Sequence, residues 1–292
     1  MSLRDPVPNA ATAPIGVFDS GLGGLTVVRA LGEALPAEDI VYLGDTARVP
    51  YGTRSASTVV RYARGCARLL VEREIKLLVV ACNTVSAVAL DVLRDELDLP
   101  VVGVVAPGAR AAVAAAEAWH VAREARRPDI KIGVLGTAGT IGSGAYPRAV
   151  AATGTRFAVL SRAAPLLVPL VEEGWLDGDV PRLAVERYLA PLIDEGSRVV
   201  VLGCTHYPLL MHVIEDVRRR LCDEHVEVVD SAHAAAQSVA ELLGQRSLLR
   251  AGTDAGRLSL LATDVPDSFR TVVRRFLDGT LPEIEQVDIA PA

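Results

Sequence analysis

The chain has 292 residues, of which half are hydrophobic and 23% are charged. This balance is typical of a globular protein with a large apolar core, and it argues against a disordered chain. With 30 basic residues against 36 acidic ones, the net charge is −6. Binding to nucleic acid or to an anionic membrane surface needs an excess of positive charge, so we expect neither partner.

The N-terminal segment and the cysteines indicate the compartment. Segment 1–14 is polar and rich in proline, without the apolar stretch of a secretory signal. The longest apolar runs are far too short to span a membrane, so we expect a soluble, cytoplasmic protein. Thiols stay reduced there, and no cysteines or histidines are spaced as zinc ligands. We therefore predict neither disulfides nor a metal.

Short β-branched runs alternate with longer segments in which apolar residues recur at helical spacing. The predicted strands of the first half are 15–19, 40–44, 76–81 and 101–105, and the helices between them are 24–35, 57–73 and 86–97. The second half has predicted strands at 132–136, 156–160, 198–203 and 227–229, again separated by helical patterns. Apolar strands joined by helical crossovers predict an α/β fold with parallel sheets flanked by helices on both faces.

The two halves contain a repeat. Segment 15–21 (IGVFDSG) resembles 132–138 (IGVLGTA), and 79–84 (VVACNT) resembles 201–206 (VLGCTH). The pairs occur in the same order at nearly equal separation, which indicates two copies of one α/β unit. We expect two pseudo-symmetric domains, with the active site in the cleft where the carboxyl ends of their strands meet.

Proline and glycine indicate where the chain crosses between the two units. The stretch 105–108 (VAPG) indicates a crossing into the second unit, and the segment after Pro208 a crossing back. We therefore predict a discontinuous first domain, 14–106 plus 209–280, and a second domain, 107–208. Segments 1–13 and 281–292 are predicted to be tails.

Cys82 and Cys204 each follow a buried strand of the repeat, at the predicted start of the next helix. Backbone N–H groups and the helix dipole at such a position favour a thiolate. A single cysteine there would more often be core filler, since free cysteine is among the most buried residue types. Two cysteines at equivalent places of a repeat, each followed by polar side chains, favour a catalytic pair instead.

Two facing thiols allow three kinds of chemistry. A nucleophilic hydrolase needs one thiol with a base, which leaves the second thiol without a role. A redox pair places the two sulfurs close enough to bond. A two-base proton transfer needs one group on each face of a carbon atom, and a pseudo-two-fold cleft supplies that geometry. The spacing favours proton transfer and leaves the other two open.

Asp19 and His206 are the candidate helpers of the two thiols. Asp19 ends the first strand and His206 lies two residues past Cys204, so each can exchange a proton with its neighbouring thiol. Asp19 could instead cap the following helix, and a histidine alone is more often structural. The other polar residues at the strand ends offer neutral donors to a carboxylate, although each alone could be a helix cap: Asn83, Thr84, Thr137, Thr140 and Thr205.

Neither nicotinamide nor pyridoxal phosphate fits the sequence. The turn 20–24 (SGLGG) can cradle an anion, and Asp45 could serve as a ribose acid, but the third glycine of the dinucleotide fingerprint is missing. The 2 lysines, Lys76 and Lys131, each begin a predicted strand, at the end opposite the other candidates. A Schiff-base lysine belongs at the site. We therefore predict a reaction without a cofactor.

Four motifs together resemble the glutamate racemases of the aspartate/glutamate racemase superfamily. They are 16–26 (GVFDSGLGGLT), 42–52 (YLGDTARVPYG), 81–84 (ACNT) and 203–208 (GCTHYP). The resemblance runs from about residue 15 to about residue 278, nearly the whole chain. One departure is Ala164-Pro165, where many members have Cys-Pro, and we expect no catalytic consequence from it.

The resemblance implies an isomerase with two pseudo-symmetric domains, no cofactor and no metal. It implies that Cys82 and Cys204 are the catalytic pair, assisted by Asp19 and His206. The implied glutamate-binding residues are Ser20, Pro50, Tyr51, Gly52, Asn83, Thr84, Thr137, Thr140 and Thr205, with Glu172 near the ammonium group and the second thiol. The implied role is the supply of D-glutamate for peptidoglycan in a bacterial cytoplasm, by a protein that is commonly a homodimer. A sister racemase acting on aspartate, and a binding protein that has lost the chemistry, are the alternatives.

Overall fold

The computed structural model describes residues 10–122, 130–266, 269–277 and 281–289. Most of the predicted N-terminal tail, residues 1–9, lies outside the described residues, as do 290–292 of the predicted C-terminal tail. Within the described residues, no helix is long and apolar enough to cross a membrane.

Two parallel sheets form the framework of the described part of the chain. The first contains β1 (Ile15–Asp19), β2 (Ile40–Gly44), β3 (Leu77–Val80), β4 (Val101–Gly103), β9 (Leu258–Ala262) and β10 (Ile284–Gln286), in the order β10-β9-β2-β1-β3-β4. The second contains β5 (Lys131–Gly136), β6 (Ala158–Ala163), β7 (Ser197–Gly203) and β8 (Glu227–Asp230), in the order β6-β5-β7-β8.

The strand orders confirm the repeat. The series β4-β3-β1-β2 of the first sheet has the same order as β8-β7-β5-β6 of the second. Thus β1 corresponds to β5, and β3 corresponds to β7, as the sequence similarities predict. Strands β9 and β10 extend the first sheet beyond β2 and have no counterpart among the described strands of the second.

Helices connect the strands and cover the sheets. They are α1 (Leu25–Ala34), α2 (Ala56–Val71), α3 (Asn83–Val88), α4 (Leu90–Glu96), α5 (Val105–Ala122), α6 (Ala138–Gly142), α7 (Ala145–Ala151), α8 (Leu167–Glu173), α9 (Asp179–Asp194), α10 (Met211–Leu221), α11 (Ser231–Gln245) and α12 (Phe269–Phe276). Short 3₁₀ turns occupy Thr46–Arg48, Tyr51–Thr53 and Tyr207–Leu210. The central strands β1, β3 and β7 are almost completely buried, which explains their unbroken apolar runs.

Three predicted elements differ clearly from the structure. The strand predicted over 156–160 is β6, which spans Ala158–Ala163. The helix predicted over 86–97 is two helices, α3 and α4, which meet at Ala89. The strand predicted over 101–105 ends at Gly103, because Val105 already begins α5. The predicted crossing at 105–108 is therefore the first turn of α5, which carries the chain from the first sheet towards the second.

The crossing back into the first sheet lies later in the chain than the sequence indicates. Segment 209–280 was predicted to belong to the first domain, but β8 within it pairs with β7 and belongs to the second sheet. A fourth strand completes the repeat there, as β4 does in the first sheet, and Pro208 does not end the second unit. The predicted C-terminal tail contributes β10 to the first sheet. We propose that the second domain extends through β8 and that the chain returns before β9.

Candidate active site

A cavity of about 320 Å³ lies between the carboxyl ends of the two sheets. Of the residues predicted from the sequence, it is lined by Ser20, Pro50, Tyr51, Gly52, Cys82, Asn83, Thr84, Thr137, Glu172, Cys204, Thr205 and His206. Asp19 and Thr140 are buried and do not line the cavity themselves. All four cysteines of the chain are free thiols, and Cys66 is buried within α2, where it contacts Tyr51 and Arg48 but does not line the cavity.

Cys82 is the N-cap residue of α3, two residues past the end of β3 in the first sheet. Its Sγ lies 3.3 Å from the hydroxyl of Ser20. Burial raises the pKa of the Cys82 thiol to about 12, and the nearby carboxylate of Asp19 adds to the shift. The expectation that the helix terminus favours a thiolate is wrong for Cys82, because burial raises its pKa more than the few backbone N–H groups of a short helix lower it.

Asp19 ends β1 beneath the cavity and is almost completely buried. One carboxylate oxygen accepts a hydrogen bond of 3.1 Å from the N–H of Gly21, and the other has no hydrogen-bond partner among the described residues. Burial raises the pKa of Asp19, although the positive charge of His206 partly opposes this shift. The residue does not cap α1, whose N-cap is Gly24. Asp19 is therefore free to act on its neighbours in the site.

Cys204 directly follows β7, and two other side chains join it in a row. Its Sγ lies 3.9 Å from Nδ1 of His206, and Nε2 of the same ring lies 3.2 Å from a carboxylate oxygen of Glu172. Burial alone lowers the pKa of His206, but hydrogen bonds with Cys204 and Glu172 together raise it to about 10. The imidazole therefore keeps its proton at neutral pH and lies beside the sulfur of Cys204.

Three threonine hydroxyls join the two halves of the molecule at one wall. The Oγ1 atom of Thr84, from the first half, lies 2.9 Å from that of Thr137 and 3.2 Å from that of Thr140, both from the second half. Thr137 and Thr140 are 3.0 Å apart, and Thr137 also caps α6. Thr140 is buried and does not line the cavity, but its hydroxyl contacts those of Thr84 and Thr137, which do.

Asn83 is fixed by two residues that the sequence analysis did not single out. Its Oδ1 accepts a hydrogen bond of 2.7 Å from the hydroxyl of Tyr146, and its Nδ2 lies 3.5 Å from the hydroxyl of Ser231. Both partners come from the second half, at α7 and at the start of α11. No sequence motif marks them, because only the packing of the two halves brings them to Asn83.

The loop around Tyr51 is held by Asp45, the acid considered above for a ribose. The Tyr51 hydroxyl donates to Asp45, whose carboxylate also forms an ion pair of 2.7 Å with Arg48 and accepts 2.9 Å from Thr263. Asp45 is completely buried, and these contacts provide partners for both of its carboxylate oxygens. Gly52 of the same loop approaches Thr137 so closely that a Cβ at this position would lie 3.1 Å from its side chain.

The glycine-rich turn of the first half reaches the end of β7. A Cβ atom at Gly23 would collide with the side chains of Thr205 and His206. The hydroxyl of Thr26 donates across the two halves to the carbonyl of Thr205, at 3.0 Å. The turn therefore contacts Thr205 and His206, the neighbours of Cys204. Position 23 requires glycine, because there is no room for a side chain.

Several residues that line the cavity, most of them apolar, were not predicted from the sequence. They are Val49, Pro165, Val168 and Pro169, together with Gly21, Thr53 and Ala138. Apolar residues carry no chemical signature, although the Ala164-Pro165 departure drew attention to one of them. Among the described residues, no cluster of His, Cys, Asp and Glu is placed to hold a metal ion. Lys76 is buried at the start of β3 in an ion pair with Glu38, at the end of the sheet opposite the thiols.

The fold and the site define a two-lobed α/β enzyme with one thiol from each lobe in a shared cavity. Residues 15–239 match the Asp/Glu/Hydantoin racemase family. The chain belongs to this family and is an isomerase of the racemase class.

Within this family, the chain is similar to individual glutamate racemases. The chain is 49% identical to a glutamate racemase from Geobacter metallireducens, over 94% of this chain and 96% of the relative. It is 46% identical to a glutamate racemase from Syntrophus aciditrophicus, over 94% and 97%. Among solved structures, a glutamate racemase isoform from Bacillus anthracis superposes with a TM-score of 0.85 at 36% identity, covering 95% and 98%. A glutamate racemase from Francisella tularensis in complex with D-glutamate gives 0.83 at 34%, covering 96% and 98%.

Proposed function

We propose that this chain interconverts L- and D-glutamate without a cofactor, with Cys82 and Cys204 as the two acid/base groups. The observation that carries the proposal is the position of the two thiols at equivalent strand ends, β3 and β7, in one cavity. One thiolate removes the α-proton from one face of the substrate, and the other thiol returns a proton to the opposite face. The similarity to glutamate racemases supports glutamate as the substrate.

The surroundings of the two thiols support a division of roles. The protonated imidazole of His206 lies beside Cys204, whereas burial and the carboxylate of Asp19 raise the pKa of Cys82. Groups whose environments push their pKa values apart are the usual acid and base of such a pair. For one enantiomer, the proposal makes Cys204 the base and Cys82 the acid. For the other enantiomer the roles are exchanged, and Asp19 assists Cys82 as His206 assists Cys204.

Neutral donors bind the substrate in this proposal. The hydroxyls of Ser20, Thr84, Thr137 and Thr205, the amide of Asn83 and the backbone of 50–52 offer hydrogen bonds to the two carboxylates. Such donors stabilise the negative charge that develops when the α-proton leaves, and they are most effective in a site that excludes water. Glu172 offers a carboxylate to the substrate ammonium. Thr140 holds two of the hydroxyls in place.

The wider role follows from the resemblance of the motifs. We propose that the product D-glutamate is used for peptidoglycan in a bacterial cytoplasm and that the protein acts as a homodimer. Detection of a dimer by light scattering, and rescue of a D-glutamate-requiring bacterial strain by the gene, test these two points separately.

The first experiment is incubation of the metal-free protein with L-glutamate in D₂O. We expect optical rotation and the α-proton NMR signal to disappear together. Cys82→Ala and Cys204→Ala should each reduce racemisation by roughly a hundredfold to ten-thousandfold, because each removes one of two required proton-transfer groups. The matched control is Cys222→Ser, which alters a half-exposed cysteine just after α10 and should retain full activity.

Three outcomes would contradict the proposal. Full activity in either cysteine variant would exclude the two-thiol mechanism. Turnover of aspartate in preference to glutamate would identify the sister reaction, and binding of glutamate without any α-proton exchange would identify a binding protein.

A further inference from the structure

Helix α12 contacts the Cys204 side of the site from outside the internal repeat. It follows β9, which extends the first sheet and has no counterpart among the described strands of the second. Phe276, the last residue of α12, is buried with its ring centroid 5.7 Å from that of His206, and the two rings are nearly perpendicular at 89°. This edge-to-face geometry is favourable for aromatic pairs and restricts the rotation of the imidazole.

Arg275, the neighbouring residue of α12, contacts Glu172, which is the far end of the row formed by Cys204, His206 and Glu172. The guanidinium of Arg275 donates to the carbonyl of Glu172 and lies 3.5 Å from that of Val171, at the C-terminal end of α8. Carbonyls at a helix end have no partners within the helix, and a cation there also interacts favourably with the helix dipole. Gly174, which ends α8 with φ +79°, leaves the space that the guanidinium occupies, since a Cβ there would lie 2.8 Å from it.

Glu172 needs such support because its side chain is half exposed and lies in the last turn of α8. Its contact with His206 is the only hydrogen bond that the structure shows for its carboxylate among the described residues. Without a fixed backbone, the carboxylate could turn to solvent at little cost, since exposed ion pairs contribute little by themselves.

We propose that Arg275 and Phe276 are positioning residues that hold Glu172 and His206 in line with Cys204, so that proton transfer at Cys204 depends on α12. The proposal rests on the two-thiol function proposed above. The Cys82 side does not use this device: Asp19 is held by the backbone of its own turn, and Cys82 contacts Ser20 of the same turn. Loss of α12 contacts should therefore affect one of the two proton transfers selectively.

Isotope effects measure that selectivity. We expect Arg275→Ala and Phe276→Leu to lower kcat about tenfold with little change in KM, because a misplaced proton-transfer group slows chemistry more than binding. With α-deuterated D- and L-glutamate used separately, the isotope effect on kcat/KM should rise for the enantiomer whose proton Cys204 removes. For the other enantiomer it should fall, because the step at Cys82 then limits the rate less.

The pH profile gives a second measurement. The groups among the described residues that act on the charge of His206 are Cys204 from β7, Glu172 from α8 and Asp19 from β1, with Arg275 held on the backbone of α8. If Glu172 is released, the pKa of His206 falls, so the alkaline limb of kcat/KM should move down by about one pH unit. Arg275→Lys keeps a donor for the α8 carbonyls and should restore most of the activity and the profile.

Arg274→Ala is the matched control, because it removes the same charge from the same helix at an exposed position. Arg274→Ala should leave the isotope effects and the pH profile unchanged. Equal isotope effects for the two enantiomers in Arg275→Ala and Phe276→Leu, or an unchanged pH profile, would overturn the inference and leave α12 a purely structural helix. If the unaltered protein failed to racemise glutamate, the proposed function would fail instead.

Discussion

At the scale of single residues, two cysteines at equivalent places of a repeat acquire different properties from their neighbours. Cys82 faces the carboxylate of Asp19 and the hydroxyl of Ser20, and its pKa rises to about 12. Cys204 faces the imidazole of His206, which is held by Glu172. The surroundings of the two sulfurs therefore differ, with a carboxylate beside Cys82 and an imidazole beside Cys204, although both sulfurs follow similar strands.

The raised pKa of His206 predicts how stability depends on pH. The folded protein binds the imidazole proton more tightly than the unfolded chain, since the pKa rises from 6.5 to about 10. The resulting stabilisation, on the order of a few kcal/mol, is complete below pH 6.5 and disappears as the pH rises through 10. His206→Gln should therefore lose the most stability near pH 6 and little near pH 10, as measured by urea unfolding at several pH values.

His212→Gln is the control for this measurement, because His212 is exposed on α10. It should change stability little at any pH. A loss in His206→Gln that stayed constant from pH 6 to pH 10 would show that packing, and not the bound proton, is responsible.

The chemistry-bearing residues could be predicted from the sequence because their types and spacing carry the signal. Cysteines and polar side chains after buried strands must gather where parallel strands end. The pKa of Cys82 could not be predicted in the same way, since burial depends on residues distant in the chain. Tyr146, Ser231 and the apolar wall around Pro165 were missed for a related reason: only the packing of the two halves brings them to the site.

At the scale of elements, the glycine-rich turn between β1 and α1 connects the two halves. Gly23→Ala should lower kcat/KM about a hundredfold, because the added methyl group must displace Thr205 and His206 from their positions. The measurement is racemisation by circular dichroism, together with thermal unfolding to show that the variant is folded.

Gly32→Ala is the control from α1, the helix that follows this turn, where an added Cβ would meet nothing within 4 Å. It should stabilise the protein by roughly 0.5–1 kcal/mol and leave activity intact, because alanine favours the helix over glycine. Equal activity in the two variants would mean that the turn tolerates a side chain and does not place the second strand end.

Element boundaries were less predictable than element types. The apolar pattern over 86–97 continues without interruption, yet the chain forms α3 and α4 on either side of Ala89. The strand at 227–229 was predicted, but its assignment to the first domain was wrong, because sheet membership depends on pairing with β7, which local sequence does not show. The repeat itself contained that information, since β4 already indicated a fourth strand in each unit.

At the scale of the whole molecule, a ligand in this cavity contacts both halves. Saturation with glutamate at about 100 times its Kd should stabilise the folded state by about 2.7 kcal/mol and raise Tm by several degrees. Thr84→Val removes a hydroxyl that contacts Thr137 and Thr140 across the cavity wall, so the rise in Tm should be smaller. Differential scanning calorimetry with and without glutamate measures both effects.

Thr153→Val is the corresponding control, because Thr153 is exposed in the turn after α7 and outside the cavity. Its response to glutamate should equal that of the unaltered protein. A full response in Thr84→Val would show that the cross-domain hydroxyls do not contribute to binding.

The common strand order of the two sheets has a consequence for the ancestry of the enzyme. Duplication and fusion of a single gene produce this arrangement, and the ancestor would then have been a symmetric pair of identical subunits. Two identical subunits present chemically equal thiols to a substrate whose enantiomers are mirror images. In a single chain the two copies can carry different residues, so that an aspartate lies near one sulfur and a histidine near the other.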